Sequence, residues 1–559
     1  MCRRLWRSEI HPDQPARREH CIRCLRSTQM NCISRYALAV TLATVPAAPR
    51  PAAAQASPDL LIGSRVEWAV EKLVGFGLID DRLVGVRPWS QREALRLLEQ
   101  ARANLTRLDA ADREAAEGIL SAIPEGRLTG KLHVDLHGDA TVLDSPWAPV
   151  PTETGADRID AEVNHLVRYR GGREFADGQT LGAEFGIEAV LNKHVSLQAR
   201  PRLWIARDTN DLTAAEAQVL EAQARFQIRG LRVDVGRLGT LWGHGRNGGS
   251  LLTNNARGLD RVRISSDTPF RWPGPLSLLG PSQAEFFLAR LESERDIPHS
   301  KLVGYTISIR PHNLVEASFY ALIQSGGDGA PTAGFGERVA DHLLFFDWLI
   351  NRESDFLSSN KASSLALRVR IPALRNTQVF AEHTIEDPAL NLERMFWQDA
   401  GWLVGIWVPR LDRAGVFDLR AEFHHGGVRF HRHGQFTSGR TLDRRMLGMG
   451  GPDTNGGFVE IAADSRRVRF SLELGVENRS ADRWRAIIRD SGGIDVWEKV
   501  EDGPDELSVR GLGGFSTFDT NGRELSLVIG LEQVSDSFFV AAATRLNAIL
   551  QVGAVLPLR

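Results

Sequence analysis

Val468-Arg469-Phe470-Ser471-Leu472-Glu473-Leu474-Gly475-Val476 sets five apolar residues against four polar or glycine residues in strict alternation. A period of two sends successive side chains to opposite faces of a strand, so one face is apolar and the other charged. The pattern recurs elsewhere. Phe417, Leu419, Ala421 and Phe423 alternate with Asp418, Arg420, Glu422 and His424. Leu365, Leu367, Val369 and Ile371 interleave with Ala366, Arg368 and Arg370, and Val303, Tyr305, Ile307 and Ile309 with Gly304, Thr306 and Ser308. Leu546 to Leu558 alternates almost throughout.

A soluble sandwich or propeller also alternates. Here Arg and Glu hold the inward positions, which suits a hydrated lumen and not a packed core. Strand-like sequence also runs from about Lys131 to the end, far beyond one sandwich domain. At roughly 24 residues per strand and loop, residues 128–559 accommodate about eighteen strands. The fold class is therefore mainly β: a large antiparallel transmembrane barrel of about eighteen strands. The chain ends VLPLR where such barrels commonly end in an aromatic residue, so the final strand is expected to rely on internal residues such as Leu556 and Leu558.

The N-terminal region has a different composition. Met30 opens MNCISRYALAVTLATVPAAPRPAAAQA, with Arg35 as a positive n-region, Tyr36–Val45 as the apolar h-region and Ala54-Gln55-Ala56 as an A-x-A cleavage site. Residues 30–56 read as a secretion signal. Residues 1–29 read as a mis-called upstream extension, or alternatively as a long n-region. All four cysteines, Cys2, Cys21, Cys24 and Cys32, precede the cleavage site, so the mature chain is expected to lack disulfides and thiolate metal sites. Residues 1–56 also carry nine arginines against Glu9, Asp13 and Glu19, which leaves the rest near −8 and gives no basic surplus for nucleic acid. Residues 57–127 are rich in Ala, Leu, Glu and Arg at helical spacing, with Ser90 and Glu93 placed for a capping box. They predict a small periplasmic helical domain ahead of the barrel.

One stretch lacks periodicity. Residues 236–281 read GRLGTLWGHGRNGGSLLTNNARGLDRVRISSDTPFRWPGPLSLLGP, far longer than an ordinary connection. Arg and Asn supply directional donors and Trp supplies flat apolar faces, which together match the hydroxyl rims and C–H faces of sugars. The polysaccharide-binding candidates are Trp242, His244, Arg246, Asn247, Asn254, Asn255, Arg257, Arg261, Arg263 and Trp272. For the Asn254–Arg257 run, loop architecture competes with ligand contact. Trp272 serves equally well as an interfacial anchor.

WGHGRNGGSLLTNNARGLDRVRI, PFRWPGP and, further on, LVGYTISIRPHNLVEASFYALIQSGGDG resemble the Wzi-type capsule assembly family. The resemblance implies an outer-membrane barrel lectin of eighteen strands, with a helical bundle at its periplasmic mouth, that helps hold capsular polysaccharide. His244 stands where many relatives have proline. The expected partners are capsular or exopolysaccharide, outer-membrane lipids and the barrel-insertion machinery, with the protein a monomer that needs no cofactor.

Other motifs favour plain readings. Gly243-His244-Gly245-Arg246-Asn247-Gly248 fits G-x-G-x-x-G, but no strand–helix context follows it, so a tight-turned loop is expected. His424, His425, His431 and His433 cluster, with His431 and His433 placed as a possible metal pair, yet no carboxylate stands at ligand spacing; solvated loop histidines are expected. Residues 325–341 and 448–458 read as glycine-rich extracellular loops or turns between strands. Ser250, Ser265, Ser266 and Ser282 lie near His244 or His299, but no G-x-S-x-G or H-E-x-x-H occurs, so a hydrolase is not expected. The alternative to a lectin is a porin-like channel for small solutes, which differs in having an open lumen.

Overall fold

The computed structural model describes residues 56–558, apart from residues 124, 152, 155–156, 331–333, 335–340, 343–358, 387–390, 466 and 490–493. The expected secretion signal up to residue 55, the four cysteines and much of the glycine-rich stretch 325–341 lie outside the described residues.

Helix comes first and strand follows. Helices α1 (Arg65–Gly75), α2 (Gln91–Ala103), α3 (Ala110–Ser121) and α4 (Glu125–Thr129) precede the barrel. Ser90 caps α2, its hydroxyl accepting from the Glu93 amide at 3.2 Å. The box is only half made, because the Glu93 carboxylate turns to Arg96, at 2.6 Å and 2.8 Å. The apolar faces of the helices gather Val70, Leu73, Leu97, Leu98 and Leu120 into one core.

The strands then form a closed antiparallel barrel of 18 strands. The first five are β1 (Leu132–Asp144), β2 (Gly178–Asn192), β3 (Val195–Asp208), β4 (Thr213–Ile228) and β5 (Leu231–Leu238). There follow β6 (Leu259–Ser266), β7 (Pro281–Arg290), β8 (Lys301–His312), β9 (Val315–Ser325) and β10 (Asn360–Ile371). Next come β11 (Thr377–Ile385), β12 (Ala400–Val408), β13 (Phe417–Gly426) and β14 (Thr454–Asp464). The last four are β15 (Val468–Ser480), β16 (Asp505–Phe518), β17 (Glu524–Ser535) and β18 (Thr544–Pro557). Consecutive strands pair, and β18 closes on β1 in register from Asp135↔Pro557 to Asp144↔Ala548. Closure leaves no sheet edge unpaired, which a spanning sheet requires.

Burial along the wall is inverted relative to a soluble protein. On β6 the charged Arg261 and Arg263 are buried while Val262 and Ile264 are exposed. On β13, Asp418, Arg420, Glu422 and His424 are buried while Phe417 and Phe423 are exposed. An apolar outer band around a polar interior is what lipid outside and water inside select. No helix among the described residues is long and apolar enough to cross a membrane.

The two ends of the barrel differ. Turns such as 193–194, 229–230 and 313–314 are short, and the helices sit over that end. There Lys72 of α1 bonds Asp418 at 2.6 Å and the Asn376 amide bonds the Gly75 carbonyl at 2.8 Å. The connections at the other end are long: residues 145–177, 239–258, 427–453 and 481–504.

The structure corrects two readings of connections. Residues 236–281 are not one loop, because β6 runs through their middle and sends 239–258 and 267–280 to opposite ends. The stretch 448–458 is a loop only in part: residues 448–453 end the connection 427–453, whereas Thr454–Phe458 opens β14, and Gly448 packs so tightly that a Cβ there would lie 1.9 Å from the Ser250 carbonyl oxygen.

Candidate functional site

Residues 239–258 fold back into the lumen. Their glycines permit the tight path: Gly243 and Gly248 have φ of 108° and 112°, where L side chains are strained. A Cβ on Gly249 would collide with the Glu382 carboxylate of the wall. The G-x-G-x-x-G match is thus a turn seated on wall carboxylates: Glu382 accepts from the Ser250 amide at 2.9 Å and Glu422 from the Arg246 amide at 2.7 Å.

The N-terminal segment enters from the opposite end and meets this inward loop. Val86 and Arg87 pair antiparallel with Trp242 and Leu241, and the Gly243 amide donates to the Gly85 carbonyl at 3.0 Å. The Arg87 guanidinium donates to the carbonyls of Gly245 at 2.5 Å and Arg246 at 3.2 Å. Protein therefore crosses this part of the lumen from one mouth to the other.

Ion pairs lock that plug to the wall. Asp59 accepts from Arg225 at 2.6 Å, Arg232 at 3.2 Å and Arg263 at 3.0 Å. Arg263 also meets Asp234 at 2.6 Å and Glu285 at 3.5 Å. Glu285 in turn accepts from the Trp242 indole N–H at 3.2 Å. Charges this deep persist only when paired, and here the pairing runs unbroken from the N-terminal segment to the inward loop.

Three inward loops are knitted together. The Gly171 amide donates to the Asn254 carbonyl at 2.7 Å, and the Tyr169 amide to the Asn255 side-chain oxygen at 3.3 Å. The Asn255 amide group donates to the Met446 carbonyl at 3.1 Å, and the Thr253 hydroxyl to that of Leu447 at 2.9 Å. The Asn254–Arg257 run is the clasp between residues 169–172 and 446–449.

The candidate residues fall into two groups. Trp242 is buried against Phe287 and Tyr320, and Asn255, Arg261 and Arg263 are occupied by the contacts of wall and clasp. Arg257 bridges loops to Asp443 at 2.6 Å. His244 is buried 4.0 Å from Glu316, and burial lowers its imidazole to about 4. Trp272 is at the short-turn end, its indole N–H on the Ser282 hydroxyl at 3.0 Å and its ring edge-on to Phe270. With Leu276 and Leu278 exposed beside it, that turn presents an apolar surface. Arg246, Asn247 and Asn254 instead line space inside the lumen. The Asn254 side-chain oxygen is buried with no hydrogen-bond partner among the described residues.

Two groups of residues went unread from sequence. Arg168, Tyr169, Arg170 and Arg173 reach the lumen on the connection between β1 and β2, where no periodicity marks them. Three of the four histidines are not solvated: His431 is fully buried, His433 nearly so, and His424 is buried 3.3 Å from Glu477, while His425 stays half-exposed on β13. The contacts that bury them come from distant segments.

An outward apolar band, a charged interior and a plugged lumen define an outer-membrane β-barrel. A model of the capsule assembly protein Wzi family matches residues 151–483, and the chain belongs to that family. Among solved structures, it is similar to Wzi of Escherichia coli, described as an outer-membrane protein involved in group 1 capsule assembly and a carbohydrate-binding β-barrel. The identity is 14% and the TM-score 0.64, over 90% of this chain and 99% of that one. The Pseudomonas aeruginosa protein OccK5 (OpdH) is 7% identical with a TM-score of 0.41, over 77% and 99%, too distant to bear on the lumen. No curated protein sequence matches the chain.

Proposed function

We propose that this barrel binds capsular or other surface polysaccharide without covalent attachment, and that it assists attachment and assembly of the polymer at the cell surface. The observation that carries this reading is the meeting of the two plugs, Val86–Arg87 on Leu241–Trp242, with polar side chains left facing the space around them. A conducting porin keeps its lumen clear, whereas a binding barrel can fill it. Family membership supports the carbohydrate, and no catalytic role is proposed for any residue. The long connections belong outside and the helices in the periplasm, by the usual asymmetry of outer-membrane barrels.

The test is binding of surface polysaccharide from the host to the purified, detergent-folded barrel. Saturable binding that weakens in the double variant Asn247→Ala, Asn254→Ala is expected, with heat-modifiable migration on gels unchanged. No binding by a well-folded wild type would sink the reading.

A further inference from the structure

Together with its neighbour Tyr169, Arg170 borders the lumen space on several sides. It lines a cavity of about 150 Å³ shared with Arg200 and Asn254, one of about 240 Å³ shared with Arg246 and Arg510, and one of about 460 Å³ toward the helices. Its neighbours in sequence hold it there. Tyr169, Gly171 and Gly172 all have positive φ, at 62°, 67° and 70°, and the clasp at Asn254 and Asn255 fixes the backbone on either side. Yet the Arg170 guanidinium itself makes no ion pair or hydrogen bond among the described residues. Its carbonyl accepts from Arg173, whose own guanidinium goes to Glu184.

Arg510 of β16 faces the same 240 Å³ cavity and is also underused. It is 5% exposed, its Nε and Nη1 have no hydrogen-bond partner, and only Nη2 approaches a carboxylate, Glu473 at 3.5 Å. Gly475 on the adjacent strand makes room for it, since a Cβ there would lie 2.6 Å from the guanidinium carbon. Below it the wall is emptied by Gly514 and Ser471. The cavity has about the volume of eight waters at roughly 30 Å³ each.

Arg170 is half-buried, but Arg510 is buried with two donor nitrogens unanswered, and unmet donors on a buried guanidinium favour an anion beside them. The planar fork of arginine suits the two-oxygen edge of a carboxylate or phosphate. The acids at this cavity, Glu460 and Glu473, already face Arg246, Arg469 and Arg510. We infer that the lumen contains an anion site whose donors are Arg170 and Arg510, and whose ligand is a carboxylate or phosphate carried by a molecule no larger than a sugar. The site does not rest on the polysaccharide reading, because the ligand is small and its binding is measured apart from the polymer's.

The experiment is calorimetric titration of the detergent-folded barrel with sodium glucuronate, inorganic phosphate and glucose, each at low and high salt. Glucuronate binding that weakens with salt, with none for glucose, is expected. Binding should fall at least tenfold in Arg170→Gln and in Arg510→Gln. Phosphate binding without glucuronate binding would support the site and identify a free anion as its ligand. No saturable binding of either anion, or binding unchanged in Arg170→Gln, overturns it. Arg170 sits on a loop outside the barrel wall and its guanidinium holds no ion pair among the described residues, so that variant decides the matter even where Arg510→Gln fails to fold. No polymer binding by the folded wild type, beside saturable glucuronate binding, would reject the lectin reading and leave the anion site standing.

Discussion

Gly172 lies so close to Arg257 that a Cβ added to it would stand 2.3 Å from the Arg257 backbone nitrogen. Next to it, the Gly171 amide bonds the Asn254 carbonyl, so the contact fixes how the first long connection lies on the inward loop. The clearest family motif in the chain is thus bound up with the loop that presents Arg170.

Gly172→Val should part these loops, because it adds both a collision and a β-branched residue at φ of 70°. Such backbone strain costs on the order of 1–3 kcal/mol before the collision is counted. The barrel wall does not depend on this contact. Planar-bilayer recording should therefore find the variant folded but leaky, beside a wild type that is nearly silent. A large steady wild-type current would instead favour the channel alternative.

Trp242 and Trp272 should separate cleanly in mutants. Trp242 is fully buried, so Trp242→Ala should cost about 3–5 kcal/mol, as large core truncations do. A lowered unfolding temperature of the detergent-folded barrel is the expected readout. Trp272→Ala leaves the lumen untouched and should preserve polymer binding while weakening retention in liposomes on extraction. A Trp242→Ala variant with wild-type thermal stability would contradict the packing described.

The wall was legible in sequence because period-two alternation is local and the inverted burial of Arg and Glu follows from it. Even β6 was written plainly, since Arg261, Val262, Arg263 and Ile264 alternate like any wall strand. It was missed because the glycine and asparagine density on both sides masked so short a run. The site was less legible. Asn254 and Trp242 stand in one motif, but their difference in role comes from Gly171, Phe287 and Tyr320, which only closure of the barrel brings near. Arg170 carries no local signal at all.

Asp59→Ala should free the N-terminal segment. The substitution leaves Arg225, Arg232 and Arg263 with Asp234 as their nearest remaining acid, and breaking one side of a buried pair typically costs about 3–5 kcal/mol. Limited proteolysis of the folded barrel should then cut within residues 56–129 at least tenfold faster, while the strands resist. Unchanged cleavage would mean that Lys72, bonded to Asp418, and the other helix contacts suffice alone.

The inward loops should also loosen in acid. Burial holds His431 well below the usual imidazole range, with the Arg440 guanidinium adding to the effect. His244 is lowered from 6.5 to about 4, by burial first, then by Arg368, Arg87 and Arg82, against an opposing pull from Glu316. In both cases the unfolded loop binds more protons than the folded one, so stability rises with pH across the window. Their contribution is complete above pH 6.5 and drains away as the pH falls toward about 4. Amide hydrogen exchange in residues 239–258 and 427–453 should therefore quicken between pH 7 and 4.5, beyond the intrinsic pH trend, while β13 and β15 stay protected. His244→Gln with His431→Gln should flatten that dependence. If the doubly substituted barrel loosens with the same midpoint as wild type, other groups set the response and the buried imidazoles do not.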